Sequence, residues 1–399
     1  MNLHPRLPRR SCSRPLAESV EGISTGAGSF ARIGRVVLGI PGWTLLLVGA
    51  VLVQLALSSS SGAGDNVVAV GVYTGAGNAG GVAGFARQTE ADVTIAADNQ
   101  NGSSWSTIES SYPADEWTGS PYQMALGVPL LPNQRTMYER HTRRTANGRR
   151  TKVTFTKAFS HYSLANGASG AYNRYFETLA KNLVAAGEGN AILHLGWEWD
   201  QPGGLWYVSD AADATDFAAY WRQIVTTMRS VPGANFNYAW YYGDGGDSLT
   251  QEAWPGASYV SSIDNDFYDQ TWDTGCGLAF DNTSTPSESE CVWDNDMLPG
   301  LNGLAAFAAQ YGEPIGFGEW GVISRSDGHG LGDDPTFVNH FASWIDSHNV
   351  EYADYFDCNS GGDSVLSDFP KALAAYRADF SSPGHGITDR GDSRPPSGS

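Results

Sequence analysis

The amino-acid sequence predicts an α/β protein: a single (β/α)8 barrel of the TIM type behind an N-terminal apolar segment. Short apolar runs alternate about eight times with amphipathic segments, which is the rhythm of parallel strands and outer helices. Polar and acidic residues follow several of the apolar runs, as they do at the C-terminal face of such barrels. A doubly wound nucleotide-binding sheet is the alternative, and the absence of a G-x-x-x-x-G-K-[ST] phosphate loop disfavours it.

The predicted strands are short runs of apolar and β-branched residues bounded by glycine, proline or polar residues. The first, NVVAVGVY, leads into a glycine-rich segment at 75–84. Strands that are buried on both faces show continuous apolar runs rather than alternation, and that is the pattern here. The predicted strands are 66–73, 92–97, 124–131, 191–197, 235–240, 259–264, 314–317 and 351–356.

The predicted helices carry apolar residues at intervals of three and four, so that one face of each can pack on the sheet. In 169–187 this stripe includes Phe176, Leu179 and Leu183, and Gly187 is a suitable C-cap residue. The other predicted helices are 213–229, 301–311, 335–348 and 369–380.

Residues 135–157 interrupt this alternation. They contain eight Lys and Arg residues around Asn147-Gly148, a dipeptide that favours a tight hairpin turn, and 152–156 (KVTFT) alternates as a strand does. The segment is therefore predicted to be a hairpin in the loop after the third strand. Two interpretations stay open: a basic patch that holds an anionic polymer, or a solvated hairpin that offsets local acidity.

The N-terminal part has the composition of a membrane-targeting segment. Residues 1–35 contain six Arg against two Glu, and 36–58 are uncharged and long enough to span a bilayer. Residues 59–65 form a Ser/Gly tether, 66–385 the barrel and 386–399 a disordered tail. This order predicts a single-pass anchor with the N-terminus inside and the barrel on the extracellular face of the cell membrane. Cleavage as a signal peptide, which releases a secreted protein, is the alternative.

Charge and composition narrow the class of ligand. The formal net charge of −19 argues against a nucleic-acid partner, and 13 Trp with 18 Tyr exceed what a core requires. The acidity favours a neutral ligand without naming one. Aromatic rings with a polar edge suit the flat faces of sugars, so their number hints at a carbohydrate ligand and no more. No His, Cys or acidic residues have metal-ligand spacing, and neither a metal nor a cofactor is predicted. The oligomeric state stays open.

The cysteines fall into two groups. Cys276 and Cys291 bracket a polar loop of 14 residues, which outside the cell predicts a disulfide. Cys12 lies in the predicted cytoplasmic segment. Cys358 is left over and is predicted to be a buried thiol at a strand end.

Two glutamates end apolar runs: Glu198 in LHLGWEW and Glu319 in IGFGEWG. Burying a carboxylate among tryptophans costs free energy unless the charge is used, and such surroundings raise its pKa. Two carboxylates at the ends of different strands supply what glycoside hydrolysis needs, one as acid/base and one as nucleophile. For each glutamate alone, a satisfied core carboxylate is the alternative.

With these motifs in place, over about residues 66–382, the chain resembles catalytic domains of glycoside hydrolase clan A, closest to family 26 (β-mannanase-like) of actinobacterial type. The resemblance implies that Glu198 is the general acid/base and Glu319 the nucleophile of a retaining endo-β-glycosidase. Its implied substrate is β-1,4-mannan or a related β-glycan. The matching motifs are Gly196-Trp197-Glu198, Asp266-x-Tyr268-Asp269-Gln270-x-Trp272, Gly318-Glu319-Trp320-Gly321 and Tyr355-Phe356-Asp357.

Further candidates surround the two glutamates. Tyr268 is a candidate to donate a hydrogen bond to Glu319, with simple packing as the alternative. His194 either reaches the lower part of the site or is structural. Three acidic residues are candidates to bind sugar hydroxyls: Asp264, Asp266 and Asp269. The candidates for sugar contact through aromatic rings are Trp105, Trp197, Trp206, Tyr207, Trp240, Trp272 and Trp320.

Two other functions stay open. One is hydrolysis of a cell-envelope polysaccharide, which the predicted anchor and the basic hairpin favour. The other is carbohydrate binding without turnover, which the presence of both glutamates disfavours because binding needs no such pair. The retaining mechanism also predicts that the two carboxyl groups lie about 5–5.5 Å apart.

Overall fold

The structure is a computed structural model that describes residues 68–133, 137–144, 151–158, 162–202, 204–243 and 248–381, with the backbone alone for 137–144 and 151–158. The predicted N-terminal segment, the apolar run 36–58, the tether and the tail 386–399 lie outside these residues. Within the described part of the chain, no helix combines the length and apolar character that crossing a bilayer requires.

Eight parallel strands close into a barrel, which confirms the predicted fold class. Each strand pairs with its neighbours, and the first strand pairs with the last. A separate antiparallel pair, β4 (Met137–Arg144) and β5 (Thr151–Ala158), forms the predicted hairpin. The barrel strands are β1 (Ala69–Tyr73), β2 (Val93–Asn99), β3 (Gln123–Val128), β6 (Ile192–Leu195), β7 (Asn237–Tyr241), β8 (Ser262–Asp269), β9 (Ile315–Val322) and β10 (Val350–Phe356).

The helices surround the barrel and bury one apolar stripe each. In α6, Phe217, Ile224 and Met228 are fully buried, and the Asp210 carboxylate caps the helix by accepting from the amides of Ala212 and Asp213. The helices are α1 (Ala79–Thr89), α2 (Trp105–Ile108), α3 (Ala114–Trp117), α4 (Leu164–Ala168), α5 (Asn173–Ala186), α6 (Ala211–Arg229), α7 (Ser248–Ala253), α8 (Pro286–Val292), α9 (Leu298–Tyr311), α10 (Pro335–Asp346) and α11 (Pro370–Phe380), with a π-helical turn, Trp293–Met297, before α9.

Several strand ends differ from the prediction, including that of β3, which ends at Val128 and not at 131. Strand β6 stops at Leu195 because Gly196 has a left-handed backbone (φ 58°) and turns the chain. Strands β8 and β9 continue to Asp269 and Val322, well past the apolar runs that predicted them. Their extensions pair with each other along this whole length. Pairing between neighbours, rather than apolar character, therefore decides where these strands end.

The interior of the barrel contains glycines where bulky polar side chains cross it. A Cβ on Gly71 would lie 1.7 Å from Asp354 Oδ1, and one on Gly316 would lie 2.5 Å from the Tyr352 ring. Burial raises the pKa of Asp354 well above its ordinary value, with the nearby Asp264 charge adding to the effect. The glycines thus make room for a buried acidic layer beneath the C-terminal ends of the strands.

The glycine-rich segment after β1 has the G-x-G-x-x-G spacing of dinucleotide-binding folds at Gly75, Gly77 and Gly80. Here it belongs to a closed barrel, not to an open doubly wound sheet. The Gly77 amide donates a hydrogen bond to Asp98 Oδ2 at 2.7 Å. This amide is therefore not available to bind a phosphate group. This spacing alone therefore does not indicate a nucleotide site in this chain.

The cysteine predictions have different outcomes. Cys276 and Cys291 form the predicted disulfide. Cys358 is fully buried as expected, but the prediction of a free thiol is wrong because this residue is disulfide-bonded.

Candidate functional site

A cleft opens at the C-terminal ends of the barrel strands, where β1, β2, β3, β6, β8 and β9 converge. Parallel barrels place their functional residues on this face. Among the described residues, no three His, Cys, Asp or Glu side chains are grouped closely enough to hold a metal ion. The lining residues are Tyr73, Ala97, Asp98, Asn99, Ala125, Gly127, His194, Trp197, Asp266, Gly318 and Glu319.

Glu319 reaches the cleft because of an irregularity in β9. The register of β8 and β9 runs from Asn265 opposite Phe317 to Asp266 opposite Glu319, so that Gly318 is an extra residue in β9. An extra residue of this kind is a β-bulge, which re-aims the side chains that follow it. Gly318 and Glu319 consequently both line the cleft, although they are consecutive in a strand.

Tyr268 holds the Glu319 carboxylate in place. Its phenol donates a hydrogen bond to Glu319 Oε2 at 2.8 Å, as the sequence predicted. The Tyr268 ring packs edge-on against Phe356, with ring centroids 6.1 Å apart. A hydrogen bond to a carboxyl group is directional, so the paired strands β8 and β9 present the Glu319 side chain with a fixed orientation.

Glu198 lies in a turn, three residues after β6 ends. Its own backbone is left-handed (φ 49°), which is uncommon for a residue with a side chain and typical of functional turns. The side chain is half-buried. A Cβ on Gly196 would lie 2.6 Å from the Leu130 side chain, so the chain passes Leu130 closely just before the glutamate.

Two buried indoles fix the turn on either side of Glu198. The Trp206 indole N–H donates to the Trp197 carbonyl at 2.7 Å, and that of Trp199 donates to the Tyr241 carbonyl at 2.7 Å. Trp197 is half-buried and lines the cleft, whereas Trp199 is only 2% exposed. Of the two tryptophans that flank the glutamate, one therefore belongs to the cleft and one anchors the turn.

His194 lies on the floor of the cleft. Its Nδ1 is 3.2 Å from Asp264 Oδ2, and a Cβ on Gly318 would lie 2.7 Å from the imidazole ring. Its Nε2 has no hydrogen-bond partner among the described residues. The histidine thus combines both predicted readings, because it is held by a buried carboxylate and also lines the cleft.

Asp264 and Asp269 are not available to sugar hydroxyls, contrary to the prediction. Asp264 is 2% exposed and accepts hydrogen bonds from the Tyr352 phenol and, at 2.6 Å, from Ser262 Oγ. Asp269 is fully buried, and burial together with the Asp334 charge raises its pKa well above the ordinary value. Only Asp266 of the three predicted acidic residues lines the cleft.

Trp240 and Trp320 are also misplaced by the prediction. Both side chains are fully buried between the barrel and the surrounding helices. Trp240 stacks on Phe307 of α9, and Trp320 stacks on Tyr376 of α11. Alternate residues of a strand face opposite sides, and these two face the helices. Position near a strand end did not reveal the direction of the side chain.

Trp105 and Trp206 are buried too, and Trp272 is not. Trp105 stacks on Tyr175 of α5, and Trp206 packs on Trp197 with ring centroids 5.0 Å apart. Trp272 is 56% exposed just after β8. One face of its ring stacks on His329, and the Arg325 guanidinium carbon lies 5.1 Å from its ring centroid, so the exposed indole has contacts that orient it.

The sequence did not single out Asp98, although it follows the apolar run of the second strand as Glu198 and Glu319 follow theirs. It accepts from the Gly77 amide and, at 2.8 Å, from the Trp117 indole. Burial raises its pKa to about 6, and the hydrogen bonds from Gly77, Trp117 and Asn99 only partly oppose this rise. The polar pair Asp98-Asn99 after an apolar run was the available signal.

The raised pKa of Asp98 predicts how the free energy of unfolding depends on pH. In the folded chain Asp98 ionises near pH 6, but in the unfolded chain near pH 3.9. Between these values the folded state binds more protons, so the free energy of unfolding falls as pH rises, by about 3 kcal/mol in total. In urea unfolding at pH 4 and at pH 7, Asp98→Asn is expected not to show this fall in the free energy of unfolding. The exposed Asp92→Asn is the control, and a wild-type-like loss in Asp98→Asn would contradict the assignment.

Comparisons with known proteins bear on the fold. No family model and no curated protein matches the chain. Among solved structures, a ruminal GH26 endo-β-1,4-mannanase has 13% identity and a TM-score of 0.50 over 81% of this chain and 65% of its own. A Cellulomonas fimi endo-β-1,4-mannanase double mutant has 14% identity and a TM-score of 0.50 over 81% and 72%. The Podospora anserina GH26-CBM35 β-(1,4)-mannanase has 14% identity and a TM-score of 0.48 over 81% and 62%. This chain thus spans less than two thirds of the first and third of these proteins. What it shares with the first two is the barrel fold.

Proposed function

We propose that the protein is a retaining endo-β-glycosidase that hydrolyses β-1,4-mannan or a related β-glycan. The observation that carries the proposal is the hydrogen bond from Tyr268 to Glu319 within a cleft on the catalytic face of the barrel. An oriented carboxylate is what a nucleophile requires. Glu198, in its constrained turn after β6, is the partner carboxyl group. The fold shared with β-mannanases supports the substrate class.

The reaction has two balanced steps. In the first, the Glu319 carboxylate attacks the anomeric carbon while Glu198 gives its proton to the glycosidic oxygen, so the C–O bond breaks and a glycosyl ester forms. In the second, the Glu198 carboxylate takes a proton from water, whose oxygen attacks the same carbon and releases Glu319. The anomeric configuration is retained because the carbon is inverted twice.

The remaining cleft residues are assigned to substrate binding. Trp197 offers an aromatic face beside Glu198, with Trp206 supporting it from behind. His194 and Asp266 line the lower cleft, where sugar hydroxyls supply hydrogen-bond donors and acceptors. Trp272, exposed at the rim, is a platform for a more distant sugar ring.

The proposed location is the extracellular face of the cell membrane, or the medium if the apolar segment is cleaved. The Cys276–Cys291 disulfide supports it, because such bonds persist in oxidising compartments.

The direct test is a turnover panel. The full chain is incubated with mannan, glucomannan, mixed-linkage glucan and xylan, and new reducing ends are measured. Proton NMR of the first product then reports its anomeric configuration. A β-configured product from one β-glycan is expected. An α-configured first product would overturn the retaining mechanism, and binding of these glycans with no turnover would favour the non-catalytic alternative.

Tyr268→Phe is expected to lower kcat on the same substrate on the order of 10²-fold, since a carboxylate misplaced by about 1 Å loses roughly that factor. The ring and its packing on Phe356 remain. Tyr376→Phe is the matched control, because Tyr376 is fully buried and its ring stacks on Trp320 behind the barrel wall. An unchanged kcat in Tyr268→Phe would argue against Glu319 as the nucleophile.

A further inference from the structure

The β4–β5 hairpin leaves the barrel on the same face as the cleft. It is inserted between the C-terminal end of β3 and α4. Strand β3 pairs in parallel with β6, the strand that leads into Glu198. Because parallel strands end on one face, the hairpin and the acid/base turn arise from adjacent strands on that face. The hairpin strands pair with each other and form a sheet of their own.

Positive charge is concentrated in this insertion. Residues 135–157 contain 8 Lys and Arg and 1 Glu, whereas the rest of 66–381 contains 8 Lys and Arg against 37 Asp and Glu. Half of the barrel domain's cations therefore lie in one short segment. The acidic remainder of the domain repels anionic ligands, whereas the positive charge of this segment attracts them.

The register divides the hairpin into two faces, because directly opposed residues share a face. One face has the pairs Tyr138–Lys157, Arg140–Phe155, Thr142–Val153 and Arg144–Thr151. We name it the aromatic–basic face, since it combines three cations with two aromatic residues and has no acid. The opposite face has the pairs Met137–Ala158, Glu139–Thr156, His141–Thr154 and Arg143–Lys152.

Resting on the proposed function, we propose that the aromatic–basic face binds an anionic polysaccharide, so that the natural substrate is a β-glycan that carries carboxylate or phosphate groups. Aromatic residues suit sugar faces, and Lys or Arg beside them suit the anionic substituents. The ligand chain extends from the cleft past the Glu198 turn onto the hairpin.

Binding at this face differs from a general attraction to polyanions in two respects. It assigns binding to one face, and it requires a sugar backbone as well as charge. A membrane surface or a nucleic acid needs the charge alone. Both requirements can be tested with matched ligands and matched variants.

The experiment uses the full chain with Glu319→Gln, which holds a polymer without cutting it. Its affinity is measured by calorimetry for galactomannan, for the same galactomannan partly oxidised to carboxylates, and for the same polymer partly phosphorylated. Both anionic forms are expected to bind at least about tenfold more tightly than the neutral polymer at low salt, and the gap is expected to close near 0.5 M NaCl. The tighter of the two identifies the anionic group.

Two double variants remove the same charge from the same hairpin. Arg140→Gln/Lys157→Gln alters the aromatic–basic face and is expected to lose the preference for anionic polymer. Arg143→Gln/Lys152→Gln alters the opposite face, where it also relieves repulsion between opposed cations, and is expected to stay within about threefold of the parent. Circular dichroism confirms that both fold.

Several results would overturn the inference: equal binding of neutral and anionic galactomannan, equal losses in the two double variants, or tighter binding to vesicles containing phosphatidylglycerol than to the anionic glycans. The first comparison needs no hairpin variant, so it remains decisive if one fails to fold. Hydrolysis of neutral galactomannan by the unmodified chain is measured separately. Turnover without anionic preference would leave the proposed function standing, whereas anionic preference without turnover on any glycan would overturn the function alone.

Discussion

Glu319→Gln is expected to lose turnover on every glycoside, whether natural or activated, by on the order of 10⁴-fold or more. The amide cannot form the glycosyl ester, so the first step fails whatever the leaving group. The side chain keeps its size, and its carbonyl oxygen can still accept the hydrogen bond from Tyr268. Reducing ends from galactomannan and dinitrophenol from an aryl β-mannoside measure the loss on the two kinds of substrate.

A matched control lies at the other end of the same strand. Glu313 comes just before β9 and so lies on the opposite face of the barrel, where Glu313→Gln is expected to leave both activities unchanged. Azide supplied to Glu319→Ala adds a positive test, because a small anion can enter the space of the lost carboxylate. It should yield a glycosyl azide of inverted configuration. Retention of more than about a hundredth of the aryl activity in Glu319→Gln would exclude the nucleophile role.

Glu198→Gln is expected to separate the two kinds of substrate. Loss of the general acid should lower polysaccharide hydrolysis by about 10²–10⁴-fold, because the sugar leaving group needs a proton. A dinitrophenolate needs none, so the first step on the aryl glycoside should survive. The second step still lacks its base, and the glycosyl–enzyme should accumulate. Rapid mixing is therefore expected to show a burst of phenolate close to the enzyme concentration.

Glu188→Gln is the corresponding control, since Glu188 precedes β6 on the opposite face of the barrel from Glu198. Burial raises the pKa of Glu188, and an uncharged amide suits that environment. Equal losses on both substrates in Glu198→Gln, with no burst, would remove Glu198 from the acid/base role.

The sequence predicted the barrel because its information is local. Apolar runs of strand length and stripes at helical spacing report burial directly, and their alternation determines the parallel topology. The sequence did not predict the full length of β8 and β9, because their last residues are polar and are held in the sheet by pairing with each other. The disulfide between Cys276 and Cys291 was predictable from a short loop, and the pairing of Cys358 was not.

For the site, the sequence by itself determined which residue types stand at strand ends: Glu198, Glu319, Tyr268 and, unrecognised, Asp98. Only the tertiary structure decided which side chains enter the cleft. The extra Gly318 in β9 brings Glu319 into the cleft and leaves Trp320 against the outer helices. Side chains along a strand alternate between its two faces, and one inserted residue reverses that alternation for the residues that follow. Where the insertion falls depends on pairing with the neighbouring strand, which the local sequence does not reveal.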